Sequence, residues 1–143
     1  MGYAGFWKRF VAALIDSVVT AIGGFVVGLV LGVILGVIAG IFGSGDAGLA
    51  TLVGNLTGIV VGWLYFALME SSSAQGTLGK MALRIKVTDL NGQQIGFARA
   101  TGRHFGKIVS ALILCIGFMM AGFTSKKQAL HDMMAGCLVI NRY

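Results

Sequence analysis

The stretch GGFVVGLVLGVILGVIAG, residues 23–40, has a glycine at every fourth position of an aliphatic segment. Glycine costs about 1 kcal/mol relative to alanine inside a helix exposed to water, so a row of glycines indicates a helix in another solvent. In lipid, helices associate largely by close backbone approach at small residues. The stretch therefore predicts a membrane helix with one glycine-lined packing face. Its glycines are Gly24, Gly28, Gly32, Gly36 and Gly40.

The composition of the whole chain supports the same class. Of its 143 residues, 57% are hydrophobic and 11% are charged, and there is no proline. The mean hydropathy is +0.88. These values are typical of a bilayer-embedded protein, and the length fits a single membrane domain over residues 1–143.

Three apolar segments are candidates to enter the bilayer. Two full spans are predicted at about 12–42 and 49–69, and a shorter apolar segment at 105–123 has Lys107 near its start. A loop at 70–104 and a tail at 124–143 complete the chain. The segment 105–123 is either a third span or a re-entrant hairpin that bends near residues 115–117 and returns the tail to the side of the loop.

A second row of small residues lies in the second span, at Gly54, Gly58 and Gly62. Either the two glycine stripes face each other within one chain, or one stripe faces a second protomer. With so few spans per chain, a closed bundle needs several copies. We therefore expect a homo-oligomer, with another membrane protein as a possible partner.

The positions of the basic residues indicate orientation. All eleven Lys and Arg flank the first span or follow the second, whereas the turn GSGDAG between the two spans has only Asp46. This positive-inside pattern predicts a multi-pass protein of the inner (cytoplasmic) membrane with its N-terminus in the cytoplasm. The same distribution argues against a nucleic-acid partner.

Two segments outside the spans have strand character. LRIKVTDLNGQQIGF, residues 83–97, reads as a β-hairpin around Asn91-Gly92. An isolated hairpin is marginally stable, and the tail segment GCLVINR, residues 136–142, is a natural third strand. The predicted fold is thus membrane all-α, with a small cytoplasmic β-hairpin or three-stranded sheet.

Asp16 is the one charge between residues 10 and 42. It follows Arg9 by seven residues, on nearly the same helix face but about 10 Å further along the axis, which is too far for a direct ion pair. Asp16 then needs a partner such as Arg103, His104 or Lys107, or is protonated, or faces a hydrated cavity. It is either an ion- or proton-responsive group or half of a buried ion pair that holds helices in register.

Asp132 is the second acidic candidate. If the tail is cytoplasmic, its carboxylate can reach Arg9 or Arg84 and close the bundle; alternatively, His131 and Asp132 are solvated. Arg9 also fits an interfacial anchor beside Trp7. Glu70 is interpreted as a marker of the membrane edge, with membership of the same polar cluster as the alternative.

Several chemistries are disfavoured by the residue pattern. GTLGKM, residues 76–81, lacks a phosphate-loop glycine at position 74 and the hydroxyl at position 81. No nucleophile elbow positions the serines, and two histidines with two distant cysteines do not suggest a metal site. We expect no enzymatic activity, no cofactor and no metal.

Three segments carry a resemblance to a known family. They are YAGFWKRFVAALIDSVV, TLGKMALRIKVTDLNGQQI and QALHDMMAGCLVI, in that order along nearly the whole chain. Together they resemble the RDD family of small membrane proteins, named for one arginine and two aspartates, which Arg9, Asp16 and Asp132 match. The resemblance implies transport of an unknown ligand, and cation/proton antiport has been proposed for some members.

These observations together predict a transport-related membrane protein, coupled to a small cation or a proton, with an intramembrane aspartate at Asp16. The alternative is a non-transporting assembly or scaffold subunit that packs through its glycine stripes.

Overall fold

The chain folds into two long helices and a smaller unit of short helices and strands at one end of them. The computed structural model describes residues 2–43, 45–113 and 116–142. In chain order the elements are α1 (Phe6–Phe42), α2 (Ala47–Ser71), α3 (Leu78–Ala82), β1 (Ile85–Asp89), α4 (Phe97–Leu112), α5 (Ile116–Phe123), α6 (Leu130–Ala135) and β2 (Cys137–Asn141).

Helices α1 and α2 form the predicted pair of membrane segments, and each is longer than the apolar segment predicted for it. Both are long and apolar enough to cross a membrane. Helix α1 ends at Gly43, whose φ of +67° is a left-handed conformation that glycine adopts without strain. Helix α2 begins after Asp46, whose Oδ1 accepts a hydrogen bond from the Gly48 amide at 2.8 Å.

Helices α4 and α5 contain the third apolar segment. They are bent by 103° relative to each other, and together they qualify as a broken span or a re-entrant segment. The predicted bend falls between them, although Cys115 lies outside the described residues. A Cβ added at Gly117 would lie 2.8 Å from the Ser110 Cβ, so glycine allows α5 to pack back against α4.

Strands β1 and β2 form a two-stranded antiparallel sheet, with Val87 opposite Val139. The predicted pairing of loop and tail is therefore present, but the predicted hairpin is not. Gly92 has a φ of +82° at the expected turn, yet residues 93–96 form no strand. The second half of the hairpin is displaced because Gln94 donates to the Ser71 carbonyl at 2.6 Å and Ile95 is buried.

The N-terminus covers the other edge of β2. Tyr3 forms an isolated bridge with Ile140, and the Ala4 amide donates to the Val139 carbonyl at 2.8 Å. These contacts place the N-terminus, the loop and the tail at the same end of the α1–α2 pair. This arrangement agrees with the re-entrant alternative for residues 105–123.

The buried apolar core lies at this end of the molecule. It includes Ala12 of α1, Ala67 of α2, Ile85 and Val87 of β1, and Val139 of β2. Beyond it, the aliphatic side chains of α1 and α2 are exposed along both helices. In a bilayer these exposed side chains face lipid. The buried contacts that fix the elements relative to one another are therefore concentrated at one end of the molecule.

Candidate functional site

Six charged side chains meet where the short helices join the ends of α1 and α2. We refer to them as the charge network. They come from five different helices and are Arg9, Glu70, Lys80, Arg103, Lys107 and Asp132.

Arg103, on α4, is the centre of this network. Its Nη1 donates to both Glu70 carboxylate oxygens at 2.6 Å, and its Nε donates to Asp132 Oδ1 at 2.8 Å. The three residues are almost completely buried, with 2% or less of each exposed. One planar guanidinium therefore joins α4 to the end of α2 and to α6.

Asp132 is held by two arginines and by its own helix. Its Oδ2 contacts Arg9 Nη1 and also accepts from the Ala129 amide at 3.1 Å. Burial alone would raise the pKa of Asp132, but the guanidiniums of Arg103 and Arg9 outweigh it and hold the pKa below its usual value. Asp132 is therefore a charged structural partner, and the alternative that it is solvated is wrong.

Two lysines complete the network around Glu70. Lys80 Nζ contacts Glu70 Oε1 directly, whereas Lys107 Nζ lies 3.8 Å from it and 3.9 Å from the centroid of the Phe66 ring. Burial lowers the pKa of Lys80, and the Glu70 carboxylate opposes this shift. Glu70 thus accepts hydrogen bonds from two cations and lies near a third, so it is more than a marker of the membrane edge.

Asp16 lies beside the charge network but makes no ion pair with any described residue. Its Oδ1 accepts from the Tyr65 hydroxyl and the Gly79 amide, each at 2.9 Å, and its Oδ2 accepts from Thr77 Oγ1 at 2.5 Å. A Cβ at Gly79 would collide with the Ala12 carbonyl oxygen, so glycine permits this close approach of α3 to α1. The expected cationic partners are therefore replaced by three neutral donors.

The remaining candidate partners lie elsewhere. Arg84 has no contact with Asp132; its carbonyl accepts from the Arg142 amide at 2.7 Å at the edge of the sheet. His104 packs on the Phe66 ring with 5.4 Å between centroids, and its Nδ1 is buried without a hydrogen-bond partner among the described residues. The His104 ring therefore contacts Phe66 rather than Asp16.

Ser110, His131 and Asp132 form a chain of contacts that superficially resembles a nucleophile, base and acid. Ser110 Oγ lies 3.3 Å from His131 Nδ1, and His131 Nε2 lies 3.4 Å from Asp132 Oδ1. Ser110 is completely buried, however, and Asp132 is already occupied by two arginines. Burial and the nearby Arg103 lower the pKa of His131, so its ring is neutral, and its approach to Asp132 is not an ion pair. The contacts tie α4 to α6.

Metal ligation receives no support from the described part of the chain. Within residues 2–43, 45–113 and 116–142, no group of three or more His, Cys, Asp or Glu side chains could hold a metal ion. The acidic side chains near the site accept from arginine, lysine or neutral donors.

The glycine stripes lie on the walls of an open groove between α1 and α2. The groove has a volume of about 550 Å³ and includes Gly24, Gly28, Gly32 and Gly36 on one side and Gly54 and Gly58 on the other. A Cβ added at any of these glycines would meet no described atom within 4 Å. Six of the eight stripe glycines thus line one groove, whereas Gly40 and Gly62 are not among its lining residues, and α1 and α2 do not pack closely at the six.

From the sequence, Glu70 was given a place in the polar cluster only as an alternative, and no role was assigned to Lys80 or Thr77. A carboxylate at the end of an apolar span was a usable signal for Glu70, because an ionisable group there needs a partner. Lys80 and Thr77 lie in the GTLGKM segment, where the absence of a phosphate loop left no role assigned to the lysine.

Comparisons with known proteins give one matching family profile and several sequence relatives. The RDD family profile matches residues 3–136. The chain is 32% identical to YxaI, an uncharacterized protein of Bacillus subtilis, with 96% of each chain covered. It is 31% identical to YteJ, an uncharacterized membrane protein of the same organism, with 97% of this chain and 81% of YteJ covered.

A third relative matches a part of the chain. It is the proline-rich antigen of Mycobacterium leprae, which is 39% identical over 67 residues that make up 45% of this chain and 27% of the antigen. No solved structure matches this chain. The family profile covers the segments that contain Arg9, Asp16 and Asp132, and the chain has two helices long and apolar enough to cross a membrane. The chain therefore belongs to the RDD family.

Proposed function

We propose that this RDD-family membrane protein has a transport-related role in which Asp16 responds to a proton or a small cation. The observation that supports this role is the environment of the Asp16 carboxylate. It lies on the wall of a cavity of about 430 Å³ and is held by neutral donors alone among the described residues. Such a carboxylate can change its charge without breaking an ion pair.

Protonation of Asp16 has a defined structural consequence. The ionised carboxylate accepts all three of its hydrogen bonds, whereas a protonated one gains a donor. The Thr77 hydroxyl can accept from a protonated Oδ2, and the Gly79 amide can still donate to Oδ1. The bond from Gly79 then loses its charge assistance, so protonation weakens the contact between α1 and α3. Helix α3 also positions Lys80 against Glu70. A proton on Asp16 thus changes how firmly α3 holds the charge network.

The flux experiment uses purified protein in proteoliposomes with a pH-sensitive dye inside and imposed Na⁺ or K⁺ gradients. We expect a cation-dependent pH change that Asp16→Asn abolishes while the protein remains assembled. Asp46→Asn is the matched control, because Asp46 is an exposed carboxylate at the opposite end of the helix pair. Flux in Asp16→Asn equal to wild type excludes Asp16 from the mechanism, and an absence of flux in the wild type refutes the transport role.

The orientation that we propose places the charged end in the cytoplasm, in the inner membrane of the cell. All eleven Lys and Arg lie at the end shared by the N-terminus, the loop and the tail, whereas the α1–α2 turn contains Asp46 alone among charged residues. This distribution follows the positive-inside rule. It also makes the α4–α5 pair re-entrant rather than a full span.

Single-cysteine labelling tests this orientation. In a cysteine-free background, a cysteine at Ser125 should resist an impermeant thiol reagent in intact cells and react in opened vesicles. A cysteine at Asp46 should react in intact cells. Labelling of Ser125 from outside the cell would contradict the proposed side of the tail.

A second candidate function is an assembly or scaffold role, and the groove between α1 and α2 favours it. Six stripe glycines line this groove, and a Cβ added at any of them would meet no described atom within 4 Å, although small residues in lipid usually mediate close packing. A helix of a second copy, or of another membrane protein, would complete that packing.

Gly32→Leu tests the assembly role. We expect it to reduce the cross-linked oligomer, or a hetero-complex isolated from native membranes, while the single chain folds normally. Val33→Leu is the matched control, because Val33 is 62% exposed and lies outside the groove. Equal assembly of the two variants would show that the stripe is not a packing surface.

A further inference from the structure

The cavity beside the charge network has an unbalanced charge. Four cations of the network face it, and Asp16 is the one carboxylate among its described lining residues. Glu70 and Asp132 lie behind the cations and compensate two of them. When all four cations are protonated, one positive charge remains uncompensated in a cavity large enough for a small polar group. The four cations are Arg9, Lys80, Arg103 and Lys107.

Two of these cations have N–H groups without a hydrogen-bond acceptor among the described residues. Arg9 Nη2 is buried and has no hydrogen-bond partner among the described residues. Lys107 Nζ is 3.8 Å from its nearest carboxylate oxygen, which is beyond hydrogen-bonding distance. Buried donors that lack a partner cost free energy, and an anion that accepts from both would recover it.

Apolar side chains form another part of the cavity lining, and some of them are exposed on the outside of the helices. This part is formed by Phe6, Phe10 and Ala13 of α1 and by Phe118 and Met119 of α5. Phe10 is 44% exposed and Met119 is 50% exposed, so the opening lies between α1 and α5. An occupant that combines an anionic group with an apolar part fits both parts of the lining.

The position of the cavity along α1 indicates where such an occupant comes from. From Val18 onwards, the exposed side chains of α1 are almost all aliphatic or aromatic, whereas Arg9, Asp16 and Ser17 lie before this segment. The cavity therefore lies at the membrane boundary, where phospholipid headgroups are found. A lipid phosphate can enter sideways while its acyl chains stay in the bilayer.

We propose that this cavity binds the phosphate group of an anionic membrane phospholipid. Arg9 Nη2 and Lys107 Nζ donate hydrogen bonds to the phosphate oxygens, and Phe10 and Met119 contact the glycerol backbone and upper acyl chain. This site is independent of transport. It assigns a binding role to the spare donors of the charge network, which the protein's internal ion pairs do not use.

The test is a lipid titration of the purified full-length protein in a neutral detergent, read by thermal unfolding. Phosphatidylglycerol, phosphatidylcholine and inorganic phosphate are the three probes. We expect saturable stabilisation by phosphatidylglycerol at a concentration about tenfold lower than for phosphatidylcholine. The two lipids offer the same phosphate oxygens, but the choline group adds a positive charge beside the four cations of the cavity, and like charges repel.

Two variants test the site, one by removing a charged donor and the other by filling the cavity. Lys107→Gln removes one donor and should weaken phosphatidylglycerol binding about tenfold. Ala13→Phe fills the cavity mouth and leaves every charge in place, so it should weaken binding even if Lys107→Gln fails to fold. Lys126→Gln is the control, because Lys126 is an exposed cation outside the cavity. It should bind like wild type.

Three outcomes overturn the proposal. Undiminished phosphatidylglycerol binding by Ala13→Phe would place the lipid elsewhere. An equal loss in Lys126→Gln and Lys107→Gln would reduce the effect to the net positive charge of the surface. Saturation by inorganic phosphate, with no competition from phosphatidylglycerol, would make the ligand a free anion rather than a lipid.

Discussion

Replacement of Arg103 is the most direct test of whether the charge network organises the fold. In Arg103→Met the buried carboxylates of Glu70 and Asp132 lose the guanidinium they share, and each keeps one close cation, Lys80 and Arg9 respectively. Removal of one partner from a buried ion pair typically destabilises a protein by about 3–5 kcal/mol. Because both carboxylates retain a cation, we expect the lower end, about 3 kcal/mol.

The assay is thermal unfolding of the purified protein in detergent. For a chain of this size, about 3 kcal/mol corresponds to a fall of roughly 6–12 °C in the midpoint. Arg99→Met is the matched control, because Arg99 is one helical turn earlier on α4 and exposed. Its effect should stay within about 0.5 kcal/mol.

Arg103→Lys separates charge from geometry. The lysine keeps the positive charge but lacks the planar fork that reaches Glu70 and Asp132 together, so its midpoint should fall between those of wild type and Arg103→Met. Equal midpoints for Arg103→Met and Arg99→Met would refute the reasoning, because the network would then contribute nothing to stability.

Two further predictions concern Asp132 and Gly79. Because the pKa of Asp132 is held below its ordinary value of 3.8, the stability it contributes is complete above that value and is lost as the pH falls through and below it. Asp132→Asn should therefore be less stable than wild type near neutral pH, with a shallower loss in thermal unfolding as the pH falls from about 4 to about 2; parallel curves would contradict this. Gly79→Ala should destabilise by about 1–3 kcal/mol, because its Cβ collides with the Ala12 carbonyl oxygen. Gly102→Ala, in open space on α4, should be neutral or more stable by up to about 1 kcal/mol, and the same sign for both glycines would contradict the packing argument.

The features that were predicted correctly depend on patterns within single segments of the sequence. Long apolar runs are the signal for α1 and α2, and both helices are present at or beyond the expected lengths. The pairing of the loop with the tail was predicted because an isolated hairpin needs a further strand. The hairpin itself was wrong, since the Asn91-Gly92 turn formed without a second strand after it.

The partners of the charged residues were harder to predict, because they depend on contacts between distant segments. Asp16 is separated from Thr77 by 61 positions and from Gly79 by 63. The contact exists only because α3, five residues long, approaches α1 at a glycine. Neither hydropathy nor helical periodicity reports such an approach. The hydroxyl and amide donors to Asp16 therefore could not be predicted from the positions of the charged residues.

The length of α1 explains how one helix serves both the membrane and the charge network. At about 1.5 Å per residue, the segment 18–42 extends roughly 37 Å, which already exceeds a hydrocarbon core of roughly 30 Å. The first turns, which contain Arg9 and Asp16, are then free to lie at the boundary and to contact α3 and α6. Asp16 at a boundary needs far less compensation than a carboxylate at the bilayer centre, and neutral donors are sufficient to hold it. Helix α1 is continuous from Phe6 to Phe42, so the residues that contact α3 and α6 and the long apolar segment are parts of one helix.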